Sequence, residues 1–163
     1  MESFIDENGY TVEFSTNEAF GEPYHVFVLC RYKGQWVLTK HRKRGLEFPG
    51  GKREKGETIE DAARREVHEE TGGVVNHLVF LGQYKVHDPI KPFIKSIYFA
   101  ELSELERKND YLETDGPLLL ATLPEVVDEE YSFIMRDEIL PLSMKRLEDM
   151  EIDGYVNQQR NRL

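Results

Sequence analysis

The stretch from Phe48 to Gly73 reads FPGGKREKGETIEDAARREVHEETGG. It places Glu66, Glu69 and Glu70 close together, downstream of a glycine pair. On a helix, carboxylates three and four positions apart share one face and destabilise it by roughly a few tenths of a kcal/mol per pair. The negative end of the helix dipole adds to this penalty. A solvated acidic face is the simplest explanation for three such glutamates. Only the surrounding residues can show whether they form a functional site instead.

Local signals predict a helix from Thr58 to Thr71. Thr58 is a suitable N-cap, Asp61 lies at the capping-box position, and Gly72 is a typical C-terminal stop. We expect the positions spaced by four residues to face the core, namely Ile59, Ala63 and Val67. We expect Asp61, Arg64 and His68 to be solvated. The three glutamates then lie beside the core, where bound divalent cations would offset their repulsion, since Mg²⁺ and Mn²⁺ prefer oxygen ligands.

The pattern G-x5-E-x7-R-E-U-x-E-E-x-G, with U a bulky apolar residue, runs through this stretch. It is matched by Gly51, Glu57, Arg65, Glu66, Val67, Glu69, Glu70 and Gly72. The stretch resembles the Nudix box of the Nudix hydrolases, here residues 51–73. The resemblance implies an α/β fold, the Nudix αβα sandwich with a mixed β-sheet and a loop-helix-loop catalytic motif. One residue departs from the pattern: Gly73 stands where the box has an apolar residue, and we expect Val74 to take over its packing.

The resemblance also implies roles for individual residues. It makes the side chains of Glu66, Glu69 and Glu70 and the Gly50 carbonyl metal ligands, with Glu113 as a candidate carboxylate from outside the box. Arg65 and Glu57 are expected to pair and orient the site. Either a box glutamate, Glu66 or Glu69 among them, or a carboxylate outside the box activates the attacking water. Gly50 and Gly51 are expected to let the backbone approach the metal and the phosphates.

A basic run precedes the box in a chain whose formal net charge is −10. Such an acidic protein needs local positive charge and a divalent cation to hold a phosphorylated substrate. The candidates for phosphate binding are Lys40, Arg42, Arg44 and Lys52. The alternative is a solvated loop without a partner.

Wider segments, including those from His25 to His41 and from Tyr111 to Leu120, are similar to YtkD-type Nudix hydrolases. This similarity implies a nucleoside triphosphate substrate, oxidised guanine nucleotides included, cleaved to a nucleoside monophosphate and pyrophosphate with Mg²⁺ or Mn²⁺. The first alternative is removal of pyrophosphate from an RNA 5′ end. The second is a non-catalytic Nudix ligand sensor, which the intact glutamates disfavour. The candidates for base stacking are Phe48, Tyr84, Phe99, Tyr111 and Phe133.

Length and composition limit the number of domains, the location and the partners of the protein. The length of 163 residues fits one domain, 1–163, with a core at about 25–150. No signal peptide or membrane span is evident, so we expect a cytoplasmic protein without a membrane partner. The negative charge argues against duplex DNA as a partner. The only cysteine, Cys30, lies in an apolar run and is expected to be a buried thiol.

Alternation and turn residues predict the remaining elements. The predicted strands are Thr11–Phe14 at a sheet edge, His25–Tyr32 and Gln35–Lys40 as a hairpin about Lys33-Gly34, Leu46–Phe48, Val74–Val86, Phe93–Leu102 and Gly116–Ala121. The predicted later helices are Asp128–Asp137 and Pro141–Met150, followed by a frayed tail from Asn157.

Overall fold

The computed structural model describes residues 2–150, which form one nine-stranded sheet with helices packed against it. The strands are β1 (Glu2–Ile5), β2 (Thr11–Ser15), β3 (His25–Tyr32), β4 (Gln35–His41), β5 (Gly45–Glu47), β6 (Gly50–Lys52), β7 (Gly73–Val86), β8 (Phe93–Leu105) and β9 (Thr114–Leu120). The helices are α1 (Ile59–Thr71), α2 (Phe133–Arg136) and α3 (Ile139–Asp149). None of these helices is long and apolar enough to cross a membrane.

The sheet is mixed, with the order β1-β2-β7-β8-β3-β4-β5, while β6 pairs with β3 and β9 with β4. Strand β3 runs parallel to β8, and the other named pairs are antiparallel. The central strand β3 is therefore held on both sides by long stretches of backbone hydrogen bonds. The loop after β6 leads directly into α1, so the sheet fixes where that helix begins.

Alternation along β3 divides the core into two layers. Val26 and Val28 belong to the cluster that packs under α1 with Ala63 and Val67. Phe27 and its alternating neighbours belong to the other cluster, which includes residues of α2 and α3. Helices therefore cover both faces of the sheet, and the predicted α/β sandwich is confirmed. The extent of one domain over residues 1–163 stays a prediction.

Local signals placed several elements correctly. Helix α1 has Thr58 as its N-cap with the capping box to Asp61, and Gly72 closes it in the left-handed conformation. The β3–β4 hairpin turns at Lys33 and Gly34, which both have positive φ, as a two-residue hairpin loop requires. Cys30 is fully buried.

Other elements differ from the prediction. The strand at Thr11–Ser15 is not at the edge, because the unpredicted β1 pairs outside it. Strand β6 is held through its backbone against β3, although Gly-Gly-Lys has little intrinsic strand preference. The predicted helix at 128–137 is only the four-residue α2, because the chain is not helical before the N-cap Ser132 and Asp137 is extended. The predicted tail from Asn157 lies outside the described residues.

Gly72 and Gly73, which follow α1, exclude a side chain for different structural reasons. Gly72 has a φ of 76°, and a Cβ there would collide with the backbone carbonyl of Glu106. Gly73 is buried, and a Cβ there would lie 2.7 Å from Leu102 Cδ1 and 2.9 Å from Thr71 Oγ1. An apolar side chain at position 73 would therefore overfill this region. This explains the departure from the box pattern, whereas the expected substitute, Val74, is only partly buried.

We expect Gly72→Ala to destabilise the protein more than Gly73→Ala. The first change imposes the left-handed conformation on a residue with a Cβ, which costs about 1–2 kcal/mol before the backbone collision is added. The second presses against side-chain ends that can shift, at a cost of about 1 kcal/mol. Urea unfolding of both variants measures this, and equal losses of unfolding free energy would contradict it.

Candidate active site

One cavity of about 580 Å³ collects most of the residues singled out in the sequence. It lies where α1 faces β6, and the loop before β9 and the start of α2 complete its wall. Its acidic lining residues are Glu47, Glu54, Glu66, Glu69, Glu70 and Glu113, and its basic ones are His25, His41, Arg44, Lys52, Arg65 and Lys95. The cavity can therefore receive a cation and an anion side by side.

Arg65 joins the loop to the helix at the acidic side. Its guanidinium donates to both carboxylate oxygens of Glu57, at 2.7 and 2.9 Å. It also donates to Glu66 at 2.9 Å, to Glu69 at 3.2 Å and to the carbonyl oxygen of Lys52 at 3.0 Å. The hydrogen bond to Arg65 lowers the pKa of Glu57. The expected pairing of Arg65 with Glu57 is thus present, and it fixes the helix relative to the glycine loop.

Two partly buried carboxyls of α1, those of Glu66 and Glu70, are hydrogen-bonded to each other. Burial, followed by the hydrogen bond to Glu66 and the charges of Glu66 and Glu47, raises the pKa of Glu70 far above its ordinary value. Burial also raises the pKa of Glu66, although its hydrogen bonds with Glu70 and Arg65 oppose the shift. Both shifts favour the protonated form of these carboxyls.

The glycine pair makes room for these carboxyls. A Cβ on Gly51 would lie 2.5 Å from Glu66 Oε1, and the backbone N–H of Gly50 donates to Glu70. Any side chain at position 51 would occupy the space that Glu66 now fills. The sequence predicted close approach of the backbone at this point, and the structure shows that the approaching group is a carboxylate of α1.

The C-terminal carbonyls of α1 are captured by residues from outside the box. The Lys108 ammonium donates to the carbonyl oxygens of His68 and Glu69, at 3.1 and 3.3 Å. The hydroxyls of Thr39 and Thr114 both lie 3.2 Å from the carbonyl oxygen of Glu70. These contacts supply positive charge and hydrogen-bond donors at the negative end of the helix dipole.

Glu47 and His41 also line the cavity, although the sequence did not single out either as a site residue. Glu47 is 3% exposed and is held by Arg44 through contacts of 2.7 and 3.3 Å. Its position directly before the FPGG segment was the available signal. His41 accepts the backbone N–H groups of Lys43 and Arg44 at Nδ1, which leaves its Nε2–H directed at the Glu113 carboxylate, 3.5 Å away.

The candidates for phosphate binding separate into two groups. Arg44 and Lys52 line the cavity. Lys40 and Arg42 are exposed and do not line it, and Arg42 instead pairs with Asp115 at 3.2 Å. Glu113 does line the cavity, with a side chain that is 85% exposed. The roles of all five in catalysis or binding stay predictions.

The donor set fits a hard divalent cation. Glu66, Glu69 and Glu70 offer only oxygen atoms, as Mg²⁺ and Mn²⁺ prefer, and a cation would neutralise carboxyls whose burial and proximity otherwise raise the pKa of Glu70. Across residues 2–150, no three acidic, histidine or cysteine side chains are already arranged around one cation position. In this structure Arg65 holds Glu66 and Glu69 instead, so cation binding requires those side chains to turn.

Comparison with known proteins places this geometry in a family. A NUDIX domain model matches residues 22–139. A Bacillus subtilis (strain 168) protein named "Putative 8-oxo-dGTP diphosphatase YtkD" is 48% identical over 153 residues, which cover 91% of this chain and 97% of that protein.

Solved structures agree. The Bacillus subtilis pyrophosphohydrolase BsRppH, crystallised as a mutant, has a TM-score of 0.90 and 47% identity, over 92% of this chain and 98% of its own. A NUDIX hydrolase from Nitrosomonas europaea, at 21% identity and a TM-score of 0.58 over 81% of this chain and 90% of its own, shows the fold alone. Because the domain match spans most of the chain and a relative with nearly half its residues identical is named as a diphosphatase, this protein belongs to the Nudix hydrolase family.

Proposed function

We propose that this protein is a divalent-metal-dependent pyrophosphohydrolase that cleaves nucleoside triphosphates, oxidised guanine nucleotides included, to a nucleoside monophosphate and pyrophosphate. The observation that carries the proposal is the cavity of about 580 Å³, in which the α1 carboxylates face basic side chains from the sheet. A polyphosphate needs both a cation to bridge its oxygens and positive groups around it. The relative named as an 8-oxo-dGTP diphosphatase supports the choice of substrate.

The metal would be held by Glu66, Glu69 and Glu70, with the Gly50 carbonyl and Glu113 as further candidates. When bound, Mg²⁺ or Mn²⁺ supplies charge neutralisation on the phosphates and a lower pKa for a coordinated water. The Arg65 guanidinium holds Glu66 and Glu69 until a metal binds, and it fixes the loop through Glu57.

The other steps belong to side chains of the protein. A carboxylate with a free oxygen accepts the proton of the attacking water, and Glu66, Glu69 and Glu113 all line the cavity in a position to do so. The phosphates are held by Lys52 and Arg44, which line the same cavity. Water then attacks phosphorus, and pyrophosphate leaves.

An RNA 5′ end is the second candidate substrate. It contains the same triphosphate linked to a nucleoside, so one site could serve both reactions. The observation that favours it is the close structural likeness to a protein described as a pyrophosphohydrolase. The net charge of −10 limits extended contact with RNA but does not prevent binding of one end.

The proposal is tested by measuring pyrophosphate released from a nucleotide panel that includes 8-oxo-dGTP, and from a triphosphorylated RNA. Each substrate is assayed with Mg²⁺, with Mn²⁺ and with EDTA. Metal-dependent release from the nucleotides supports the proposal, and release from the RNA alone selects the alternative. No release from either class would overturn both.

Charge removal in the carboxylate cluster should abolish activity while preserving shape. We expect Glu69→Gln and Glu70→Gln to lower kcat by roughly two to four orders of magnitude, because each removes a cation ligand or a proton acceptor. Glu60→Gln is the matched control on the same helix. Its exposed side chain accepts from the Tyr98 hydroxyl at 3.0 Å, and an amide oxygen can still do so. Wild-type rates in both site variants would disprove the assignment.

Of these substitutions, Glu70→Gln should also stabilise the metal-free protein. The folded pKa of Glu70 is raised, so above its ordinary pKa of 4.5 the unfolded chain ionises while the folded chain resists. Stability of the wild type in EDTA therefore falls as the pH rises through this window. Glu70→Gln escapes that loss, and we expect a gain of about 1–3 kcal/mol at about pH 8 that shrinks towards about pH 5.

Urea unfolding in EDTA measures this gain, and the same experiment with saturating Mn²⁺ supplies the second arm. Mn²⁺ should raise the melting temperature of the wild type through binding to the folded state, and should do so less for Glu70→Gln. A pH-independent gain would show that Glu70 is not a buried, protonated carboxyl. An equal Mn²⁺ effect on both proteins would show that it is not a ligand.

Two exposed lysines provide a test of phosphate contact. Lys52 lines the cavity and Lys40 does not. We expect Lys52→Met to raise KM for nucleoside triphosphates roughly tenfold, through loss of one charge-assisted contact. Lys40→Met should leave KM unchanged. If steady-state kinetics show equal effects, the cavity does not define the phosphate site.

A further inference from the structure

His41 presents a buried hydrogen-bond donor to the cavity. It is the last residue of β4, is 7% exposed and lines the cavity wall. Its Nδ1 accepts the backbone N–H groups of Lys43 and Arg44, at 3.2 and 3.1 Å, so Nε2 carries the proton. Among residues 2–150, this Nε2 has no hydrogen-bond partner. A buried donor without an acceptor is costly, so an acceptor in the cavity is expected.

The Glu113 carboxylate is the group that the structure places in front of this donor. One of its oxygens lies 3.5 Å from His41 Nε2, a little longer than a hydrogen bond. The Glu113 side chain is 85% exposed, so a small rotation towards His41 meets little packing. Closing this gap would satisfy the imidazole and hold the carboxylate at the cavity.

Other carboxylates of the cavity already have basic partners. Arg44 contacts Glu47 at 2.7 Å, and Arg65 contacts Glu66 and Glu69 at 2.9 and 3.2 Å. These are charge-assisted hydrogen bonds. Within residues 2–150, the contact that the structure gives the carboxylate of the remaining loop glutamate, at position 113, is the one with the imidazole.

The backbone of Glu113 is fixed, although its side chain is exposed. Its carbonyl oxygen accepts the backbone N–H of Arg42 at 3.2 Å, and the next residue, Thr114, is paired with His41 across β9 and β4. The preceding residue, Leu112, has a φ of 59°, which a leucine rarely adopts. The loop therefore determines where the Glu113 side chain begins, and the imidazole is placed to determine where its carboxylate lies.

This end of the loop contacts the last turn of α1. The Thr114 hydroxyl lies 3.2 Å from the carbonyl oxygen of Glu70. Glu70 and Glu113 line the same cavity. A Glu113 carboxylate held against His41 would therefore add a carboxylate from the sheet side to those of α1.

We propose that His41 is a positioning residue whose Nε2–H holds the Glu113 carboxylate in the cavity. The proposal rests on the function proposed above, in which Glu113 is a candidate cation ligand and proton acceptor. A carboxylate that is already held loses less side-chain entropy when a cation or a water binds than one that moves freely in solvent. His41 contacts neither the metal nor the substrate in this role, so its effect has to pass through Glu113.

Two substitutions separate the two hydrogen bonds of the imidazole. His41→Asn can keep an acceptor near the position of Nδ1 but lacks the Nε2 donor. His41→Gln can keep a donor near the position of Nε2 but lacks the acceptor for the turn. We expect His41→Gln to retain more function despite the lower melting temperature. A purely structural role predicts instead that function follows melting temperature.

A double-mutant cycle tests whether His41 acts through Glu113. It compares Glu113→Ala, His41→Asn and the double variant, with Mn²⁺ dissociation constants from calorimetry without substrate and with kcat and KM of pyrophosphate release. Whichever of Mn²⁺ affinity and kcat Glu113→Ala lowers, we expect His41→Asn to lower roughly tenfold, and the double variant to be no worse than Glu113→Ala.

His87→Asn is the matched control. His87 also contacts a glutamate, Glu13, at 2.6 Å, but it does not line the cavity. This substitution can lower the melting temperature through loss of that contact, and it should leave Mn²⁺ affinity and kcat unchanged.

Three results of the cycle would overturn the proposal. The first is a Glu113→Ala variant with wild-type Mn²⁺ affinity and kcat. The second is a His41→Asn effect that persists in the Glu113→Ala background, which would make His41 a direct contact of the metal or, if KM rises, of the substrate. The third is a His41→Gln variant that is functionally poorer than His41→Asn.

A spectroscopic measurement tests the contact without metal, substrate or a change at His41. Histidine side-chain NMR spectra of the metal-free protein should show the His41 proton on Nε2, and Glu113→Ala should shift the resonance of that nitrogen. An unshifted resonance would overturn the proposal. Absence of pyrophosphate release from every substrate would overturn the proposed function instead, and the spectrum would still decide whether His41 holds Glu113.

Discussion

The site depends on the position of the Arg65 guanidinium between the glycine loop and α1. It contacts Glu57 and the Lys52 carbonyl on the loop side and Glu66 and Glu69 on the helix side. The hydrogen bonds to Glu57 are the main reason that its pKa is raised further, so it remains charged at any accessible pH. One rigid, planar cation thus fixes the angle between the two segments that supply the proposed metal ligands.

The same arrangement explains how an acidic protein can accept an anion. Three of the six acidic lining residues come from α1, whereas His25, Lys52 and Lys95 lie on strands of the sheet. Burial and the charges of Lys95, Lys52 and Lys91 lower the pKa of His25 to about 4, so this imidazole is neutral near pH 7. The net charge of the chain therefore says little about the cavity, which is lined by side chains of both signs.

The elements predicted correctly from the sequence are those whose cause is local. The ends of α1 are specified within a few residues by Thr58, Asp61 and Gly72. The β3–β4 hairpin is specified by its turn, Lys33-Gly34, without help from the rest of the chain. Strand β6 could not be predicted, because its Gly-Gly-Lys sequence forms a strand through pairing with the distant β3. Separating Phe133 from the buried aromatics likewise depends on packing.

The helix with the crowded glutamates is stabilised from outside the box. Lys108 belongs to the connection into β9, Thr114 is the first residue of β9, and Thr39 belongs to β4; together they bond the last carbonyls of α1. An isolated helix with three glutamates near its C-terminus would have neither those donors nor the positive charge of Lys108. The box is therefore a local sequence signal, but its stability depends on distant strands. Loop 106–113, which also carries Glu113, connects the acidic cluster to the sheet, so α1 and that loop are best regarded as one unit.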